Sequence, residues 1–101
     1  MDHTIIAKKV TIPVEGIGDT SGIIFMPEGS TLKKGVIVAH GAGNNMHTPL
    51  LAAFSTGIAG AGYPLLRFNF LYSEQGKKAP DRPEVLVKTW LAAFRSALIA
   101  L

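Results

Sequence analysis

Apolar and polar residues alternate at the start of the chain. This period of two predicts a half-buried strand over residues 4–14. The residues expected to share its buried face are Ile6, Val10, Ile12 and Val14. A turn cluster at 16–22 leads to a second short strand at 23–26, so the pair is expected to form an antiparallel hairpin. Because Pro13 has no N–H to donate, the first strand is expected at the border of the sheet.

The middle of the chain predicts a strand, a loop and a helix. Val36–Ala39 is too short and too β-branched for a helix, so it is interpreted as a central strand buried on both faces. Small residues follow at 40–45. Thr48 is expected to cap the next helix, with Pro49 at its first position and Gly62 just after its end. The face expected to be buried contains Leu50, Leu51, Phe54, Ile58 and Ala61.

The last third predicts a strand, a loop and a long helix. Leu65–Phe70 completes a strand–helix–strand unit, whose two strands must be parallel. Polar residues at 71–80 predict an exposed loop. Asp81 stands three residues before Glu84, a capping-box spacing, and is expected to open a helix through Leu101. The face expected to be buried contains Val87, Trp90, Leu91, Phe94, Leu98 and Leu101.

Composition excludes several classes of partner. A chain of 101 residues forms one domain at most, with a core that buries somewhat over ~60% of the unfolded surface. The net charge is +3, and the basic residues form isolated doublets, so nucleic acid is not expected as a partner. Cysteine is absent, which excludes disulfides and thiolate metal sites and is compatible with a cytoplasmic location. The histidines and scattered carboxylates show no metal-ligand pattern, and no cofactor is expected.

One long segment lacks charge. Gly35 to Leu66, 32 residues, contains no Asp, Glu, Lys or Arg, a property shared with membrane spans. A spanning helix must satisfy its backbone internally, whereas this segment contains a loop, several glycines and Pro64. We therefore interpret it as protein interior, and no membrane partner is expected. Lys8 and Lys9 interrupt the apolar start of the chain, so no export signal is predicted.

The loop at His40–Gly43 allows three interpretations. Its small residues would let backbone N–H groups approach a reacting carbonyl, as in an oxyanion hole. A tight turn that uses glycine for its conformation is about equally compatible with the local sequence. A phosphate-binding loop is disfavoured, because no Gly-Lys-Ser/Thr follows and the G-x-G-x-x-G spacing fails at Met46.

Several motifs together resemble one family. They are His40–Gly43, Met46, Pro49, Arg67–Phe70, Tyr72, Gly76, Ala79–Pro83 and Trp90. In order and spacing they resemble the N-terminal half of small α/β hydrolases that are dienelactone-hydrolase-like, a group that includes testis-expressed and non-specific-lethal-complex hydrolase-like proteins. The resemblance implies an α/β fold: a partial α/β-hydrolase domain over residues 1–101, with an antiparallel N-terminal hairpin joined to a parallel βαβ unit and a terminal helix.

The resemblance also implies roles for individual residues. It makes Gly41, Ala42 and Gly43 the oxyanion loop, with the Ala42 N–H as donor, and an ester or acyl compound the substrate of the complete protein. The residues that would line the substrate crevice are His40, Asn44, Asn69 and Tyr72. A hydrogen-bonded structural role is the alternative for His40, and loop anchoring is the alternative for Asn69 and Tyr72.

The chain departs from this family in its catalytic residues. Hydrolases of this type continue into a Gly-x-Ser-x-Gly elbow, then an acidic residue and a histidine, and this chain stops before them. Ser55 is the nearest local match, but we reject it as nucleophile because it lies within a helix and no histidine follows it. The chain alone is therefore expected to be inactive. It is either the N-terminal part of a serine hydrolase or a non-catalytic interaction module.

Two expectations concern packing. The family topology places Leu65–Phe70 between the hairpin and Val36–Ala39, which leaves an unpaired apolar edge. The chain is therefore expected to self-associate, to aggregate or to be completed by another segment. Arg67, flanked by apolar residues, is expected to need a partner such as Asp81 or a backbone carbonyl.

Overall fold

Seven elements follow one another in the computed structural model, which describes residues 3–100. They are β1 (Ile5–Val14), β2 (Gly18–Pro27), β3 (Val36–Ala39), α1 (Pro49–Gly60), β4 (Leu65–Phe68), α2 (Leu71–Glu74) and α3 (Pro83–Ala100). The α/β architecture predicted from the sequence is confirmed. Within the described range, no helix is both long and apolar enough to cross a membrane.

The N-terminal hairpin is confirmed, but its second strand is longer than predicted. β1 and β2 pair antiparallel from Ile5↔Pro27 to Val14↔Gly18. The turn therefore occupies only residues 15–17, where Gly16 has a φ of +77°. The prediction of a turn over 16–22 was wrong, because cross-strand pairing with β1 extends five residues into the polar, glycine-containing segment.

The sheet has the order β1-β2-β4-β3. β1 lies at one border, as predicted from Pro13, and β3 lies at the other. β3 and β4 are parallel, with Val36 opposite Leu65 and Ala39 opposite Phe68, which confirms the βαβ unit. The prediction that β3 is buried on both faces was wrong. All four of its residues are half-buried, because no strand among residues 3–100 covers its outer edge.

The two faces of the sheet carry separate apolar clusters. On one face, Ile12, Ile24, Leu66 and Phe68 pack with the alanines of α3. On the other face, Phe25, Leu65 and Ala59 of α1 form a smaller cluster. This division follows from the alternation of side chains along each strand.

Both long helices turn a different face to the sheet from the one predicted. The buried residues of α1 are Ser55, Ala59 and Gly60, whereas Leu50 and Phe54 are exposed. In α3 the buried residues are Thr89, Ala92, Ala93 and Ala97. The predicted residues Val87, Trp90, Leu91, Phe94 and Leu98 are all exposed, and Leu101 lies outside the described residues. Small residues let each helix approach the sheet closely, which turns the large apolar side chains outward.

The end of β4 and the start of α3 also differ from the prediction. β4 ends at Phe68, and the segment predicted as an exposed loop begins with the short helix α2, in which Leu71 and Tyr72 are buried. Asp81 does not cap α3: its Oδ2 accepts a hydrogen bond from the Tyr72 N–H at 3.1 Å. α3 starts at Pro83, where the Arg82 carbonyl accepts from Val85 and Leu86. The predicted N-terminal bounds of α1 are confirmed, with the Thr48 side chain accepting from Leu51.

Candidate functional site

Two loops meet where β3 and β4 end. Parallel strands bring their carboxyl ends to the same edge of a sheet, the usual place for a ligand crevice in α/β folds. Here the loop 40–46 follows β3, and the segment 69–74 follows β4. We call these two segments together the polar junction, because three hydrogen bonds join them directly.

His40 is the first of these links. Its Nε2 accepts a hydrogen bond from the buried Phe70 N–H at 3.0 Å. Its Nδ1 lies 2.9 Å from the Gly41 carbonyl oxygen. Because Nε2 accepts, Nδ1 carries the ring hydrogen and donates a hydrogen bond to that oxygen. The ring is buried and stands edge-on to Phe70 and Tyr72. Both ring nitrogens are occupied, which favours the structural interpretation of His40 over substrate contact.

A tight turn presents the predicted oxyanion residues. The Asn44 N–H donates to the Gly41 carbonyl at 3.1 Å, and Gly43 has a φ of +75°. A positive φ at the third position alone is the mark of a type II turn, which favours glycine there. Gly41, Ala42 and Gly43 are exposed. The Ala42 N–H makes no hydrogen bond within residues 3–100.

Tyr72 holds the other side of this turn. Its buried hydroxyl accepts a hydrogen bond from the Gly43 N–H at 3.3 Å. Its own N–H is held by Asp81. The Gly43 donor is thus occupied, while that of Ala42 stays open. Asn44, the remaining predicted substrate contact, is exposed, and its side-chain amide lies beside Gly41.

Asn69 forms hydrogen bonds with the loop after β3, with α2 and with the hairpin. Its Oδ1 accepts from the Met46 N–H at 2.8 Å, and its Nδ2 donates to Glu74 at 3.0 Å. Its backbone carbonyl accepts from the Thr20 hydroxyl at 2.6 Å. Every polar group of this buried residue has a partner, as the predicted loop-anchoring alternative requires.

Glu74 is a residue that the sequence reasoning missed. Its carboxylate accepts from the Ser21 N–H and hydroxyl at 3.3 and 2.8 Å as well as from Asn69. Partial burial raises the pKa of Glu74, but hydrogen bonds from Asn69 and Ser21 and the charge of His47 outweigh it, so the net pKa lies below the usual value. Nothing in the local sequence distinguishes Glu74 from other residues of a polar loop, because its partner Ser21 lies 53 positions away.

Arg67 lies outside the polar junction, on the sheet face covered by α1. The predicted pairing with Asp81 was wrong, since Asp81 binds the Tyr72 N–H. Arg67 is only 8% exposed, and its Nε and Nη1 have no partner among residues 3–100. Its guanidinium carbon lies 5.0 Å from the centre of the Phe25 ring, a cation–π distance. Burial lowers the pKa of Arg67 below its usual value.

Ser55 has the environment of a structural serine. It is fully buried in the middle of α1, and its hydroxyl donates to the Leu51 carbonyl at 2.7 Å. This burial within a helix agrees with the rejection of Ser55 as a nucleophile. Within residues 3–100, no group of three or more His, Asp or Glu side chains is arranged to hold a metal ion.

Comparisons with solved structures identify the fold. The chain is similar to an alpha-beta serine hydrolase homologue from Coxiella burnetii, with 19% identity and a TM-score of 0.73 over 89% of this chain and 44% of that one. It is similar to the dienelactone hydrolase from Anabaena variabilis ATCC 29413, with 19% identity and a TM-score of 0.70 over 90% and 44%. It is also similar to brefeldin A esterase, a bacterial homologue of human hormone-sensitive lipase, with 19% identity and a TM-score of 0.74 over 96% and 27%.

These matches also show how much of a related protein the chain represents. The chain spans less than half of each of these three proteins. No curated protein sequence matches it. A family model described as an alpha/beta hydrolase domain matches residues 32–100, which include β3, the polar junction and the whole of α3. The resemblance predicted from the sequence is confirmed, and the chain belongs to the alpha/beta hydrolase domain family.

Proposed function

We propose that this chain forms the oxyanion-loop half of a serine hydrolase that cleaves esters or related acyl compounds. The open Ala42 N–H carries the proposal: Ala42 is an exposed residue, and its N–H has no acceptor within residues 3–100. The turn around it is held by His40 on one side and by Met46 on the other. A donor fixed before the reaction begins can stabilise the negative charge that develops on a carbonyl oxygen.

The other residues of the polar junction position this donor. Tyr72 occupies the neighbouring Gly43 N–H, and Asn69 fixes the end of the loop. Asn44 is exposed next to the turn, so it is the predicted substrate contact with the freest side chain. The nucleophile, the acid and the catalytic histidine come from polypeptide other than these residues, because Ser55 is buried and both nitrogens of His40 are occupied.

Ala42→Pro tests the donor directly. Proline is favoured at the second position of a type II turn, so this change removes the N–H and keeps the turn. In a protein that joins this chain to a Gly-x-Ser-x-Gly segment, kcat for a p-nitrophenyl ester is expected to fall about 100- to 1000-fold with little change in KM. Ala42→Ser keeps the N–H and serves as the control. An unchanged kcat in Ala42→Pro would show that the Ala42 N–H is not an oxyanion donor.

The coding sequence beyond codon 101 is the simplest way to distinguish a hydrolase from a non-catalytic module. A strand followed by Gly-x-Ser-x-Gly supports the hydrolase. The 101-residue chain by itself is expected to show no turnover of the same ester. Turnover that Ser55→Ala abolishes would instead assign the chemistry to this chain and overturn the proposal.

A non-catalytic interaction module is the second candidate. The exposure of large apolar side chains on α3 favours it, because exposed apolar patches mark interaction sites. A stop codon directly after codon 101 would support this candidate over the hydrolase.

A further inference from the structure

Arg67 is a buried cation that the proposed chemistry does not use. It lies on the sheet face that carries α1, and its Nε and Nη1 are enclosed without an acceptor among residues 3–100. The Phe25 ring, 5.0 Å from the guanidinium carbon, supplies a cation–π contact. That contact leaves the N–H groups of the guanidinium without hydrogen-bond acceptors. Because buried charges are normally paired, the surroundings of Arg67 lack an anionic group.

The elements around Arg67 offer no carboxylate to pair with it. β3 and α1 belong to the uncharged segment 35–66, and β1 contains no acidic residue. The one acid of β2 is Asp19, which lies four residues, about 13 Å, along the strand from Ile23, the residue opposite Arg67. The Glu74 carboxylate already accepts three hydrogen bonds. The acceptor that Arg67 lacks must therefore come from other polypeptide or from solution.

A second cation without a partner lies in the same row of the sheet. Ile23 is opposite Lys9 on one side and opposite Arg67 on the other, so the three side chains project from one face. Neighbouring strands are about 4.8 Å apart, which places the Cα atoms of the two cations on the order of 10 Å from each other. Neither cation forms an ion pair among residues 3–100. This row thus carries two positive charges and binds no negative one.

The β1 side of this face is accessible. Ala7, Lys9 and Thr11 alternate onto it and are exposed, whereas Phe25 and Arg67, closer to α1, are buried. A strip of sheet surface beside α1 is therefore uncovered by residues 3–100. Since Nε and Nη1 of the guanidinium are enclosed, Nη2 is the nitrogen that an incoming oxygen atom can reach. We call this strip, with Lys9 and Arg67, the cationic strip.

We propose that an acidic side chain from the polypeptide that completes this domain lies on the cationic strip and binds the Nη2 of Arg67. The inference rests on the proposed function in one respect, that further polypeptide of the same domain packs on these residues. The compared structures are each more than twice as long as the part that this chain covers. Arginine suits a buried ion pair, because its planar guanidinium holds a carboxylate by directed hydrogen bonds.

Arg67→Met is expected to have opposite effects in two lengths of polypeptide. In the 101-residue chain it removes an unpaired buried charge, so the melting temperature is expected to rise by about 4 °C or more. In the polypeptide encoded through the rest of the domain it leaves the acid without a partner, so a fall of about 6 °C or more is expected. Arg95→Met, at an exposed position of α3, is the matched control, with changes of about 2 °C or less. Circular dichroism measures the four melts and those of the two parent polypeptides.

Sodium acetate tests the same site in the 101-residue chain. Compared with sodium chloride at equal ionic strength and pH, acetate is expected to raise the melting temperature of the wild type more than that of Arg67→Met. Equal responses would show that Arg67 takes no carboxylate and would overturn the proposal.

A change of the same sign in both lengths of polypeptide would also overturn it. With an acetate response, that result would leave Arg67 as a site for free anions only. A stop directly after codon 101 would exclude a completing segment encoded there and overturn the proposal too. None of these melts depends on ester cleavage. A longer polypeptide that reverses the sign but cleaves no ester would contradict the proposed hydrolase and support the ion pair.

Discussion

The polar junction and the outer edge of β3 both belong to the same strand, yet their polar groups are satisfied to different degrees. At the carboxyl end of β3, donors and acceptors from loops far apart in sequence satisfy one another, and one N–H, that of Ala42, stays open. Along the outer side of β3, no strand among residues 3–100 pairs with the edge, and Phe94 and Leu98 of α3 are exposed beside it. The polar network can therefore hold a donor in place, whereas the edge of β3 leaves the backbone groups of Ile37 and Ala39 without a partner strand among residues 3–100.

The largest expected difference between the two regions is the loss in free energy of unfolding when a leucine side chain is removed from each. Leu71→Ala removes a side chain that is buried in the polar junction, and it is expected to lower the free energy of unfolding by about 2–5 kcal/mol. Leu98→Ala, on the exposed side of α3 beside β3, is expected to change the free energy of unfolding by about 0.5 kcal/mol or less. Urea unfolding monitored by circular dichroism measures both. Equal losses would mean that Leu98 is packed within the chain as tightly as Leu71.

Two asparagines test whether the polar junction depends on satisfied groups. Asn69→Leu leaves the buried Met46 N–H without its acceptor and Glu74 without one donor, so a loss of about 2–3 kcal/mol in unfolding free energy is expected. Asn44→Leu alters an exposed side chain of the same loop and serves as control, with a change of about 0.5 kcal/mol or less. Urea unfolding at a fixed protein concentration compares them, and a tolerated Asn69→Leu would contradict the anchoring role.

The smallest expected change in unfolding free energy is that of Glu74→Gln, and it depends on pH. Its pKa is lowered in the folded state, so its stabilising contribution is complete above the unfolded glutamate pKa of about 4.3 and is lost as the pH falls through the folded value. Because Glu74 is exposed to solvent, Glu74→Gln is expected to cost only about 0.5 kcal/mol at pH 7 and nothing near pH 2. Urea midpoints at the two pH values measure this difference.

Glu84→Gln provides the control for Glu74, since it also removes one carboxylate. Among residues 3–100, the ion-pair partner of Glu84 is Arg82, at 2.8 Å, and both side chains are largely exposed. A pair of this kind contributes little at any pH. If the two variants respond to pH alike, the hydrogen bonds from Ser21 and Asn69 do not stabilise the Glu74 carboxylate.

Local signals in the sequence were sufficient for several elements. Thr48, Pro49 and Gly62 mark the ends of α1 because capping and a positive φ require particular residue types. The four β-branched or small residues of β3 were placed correctly. The His40–Gly43 motif indicated the loop where the open Ala42 donor lies, since only small residues allow that turn.

The site network was only partly predictable. His40, Asn69 and Tyr72 were identified as site residues, with anchoring as one alternative, but Glu74, Ser21 and Asp81 were not recognised as their partners. Those hydrogen bonds join residues from different strands and loops. Their geometry depends on the order of strands in the sheet, and no local pattern encodes it.

The sequence by itself determined the family, most element positions and the loop that presents Ala42, because these depend on residue type and short-range spacing. Only the tertiary structure decided which helix faces are buried. Hydrophobic periodicity favoured the large side chains of α3, whereas close packing on the sheet selected Ala93 and Ala97 and turned Phe94 and Leu98 outward. How closely a helix approaches a sheet depends on the volume of the side chains between them, a property of both surfaces together.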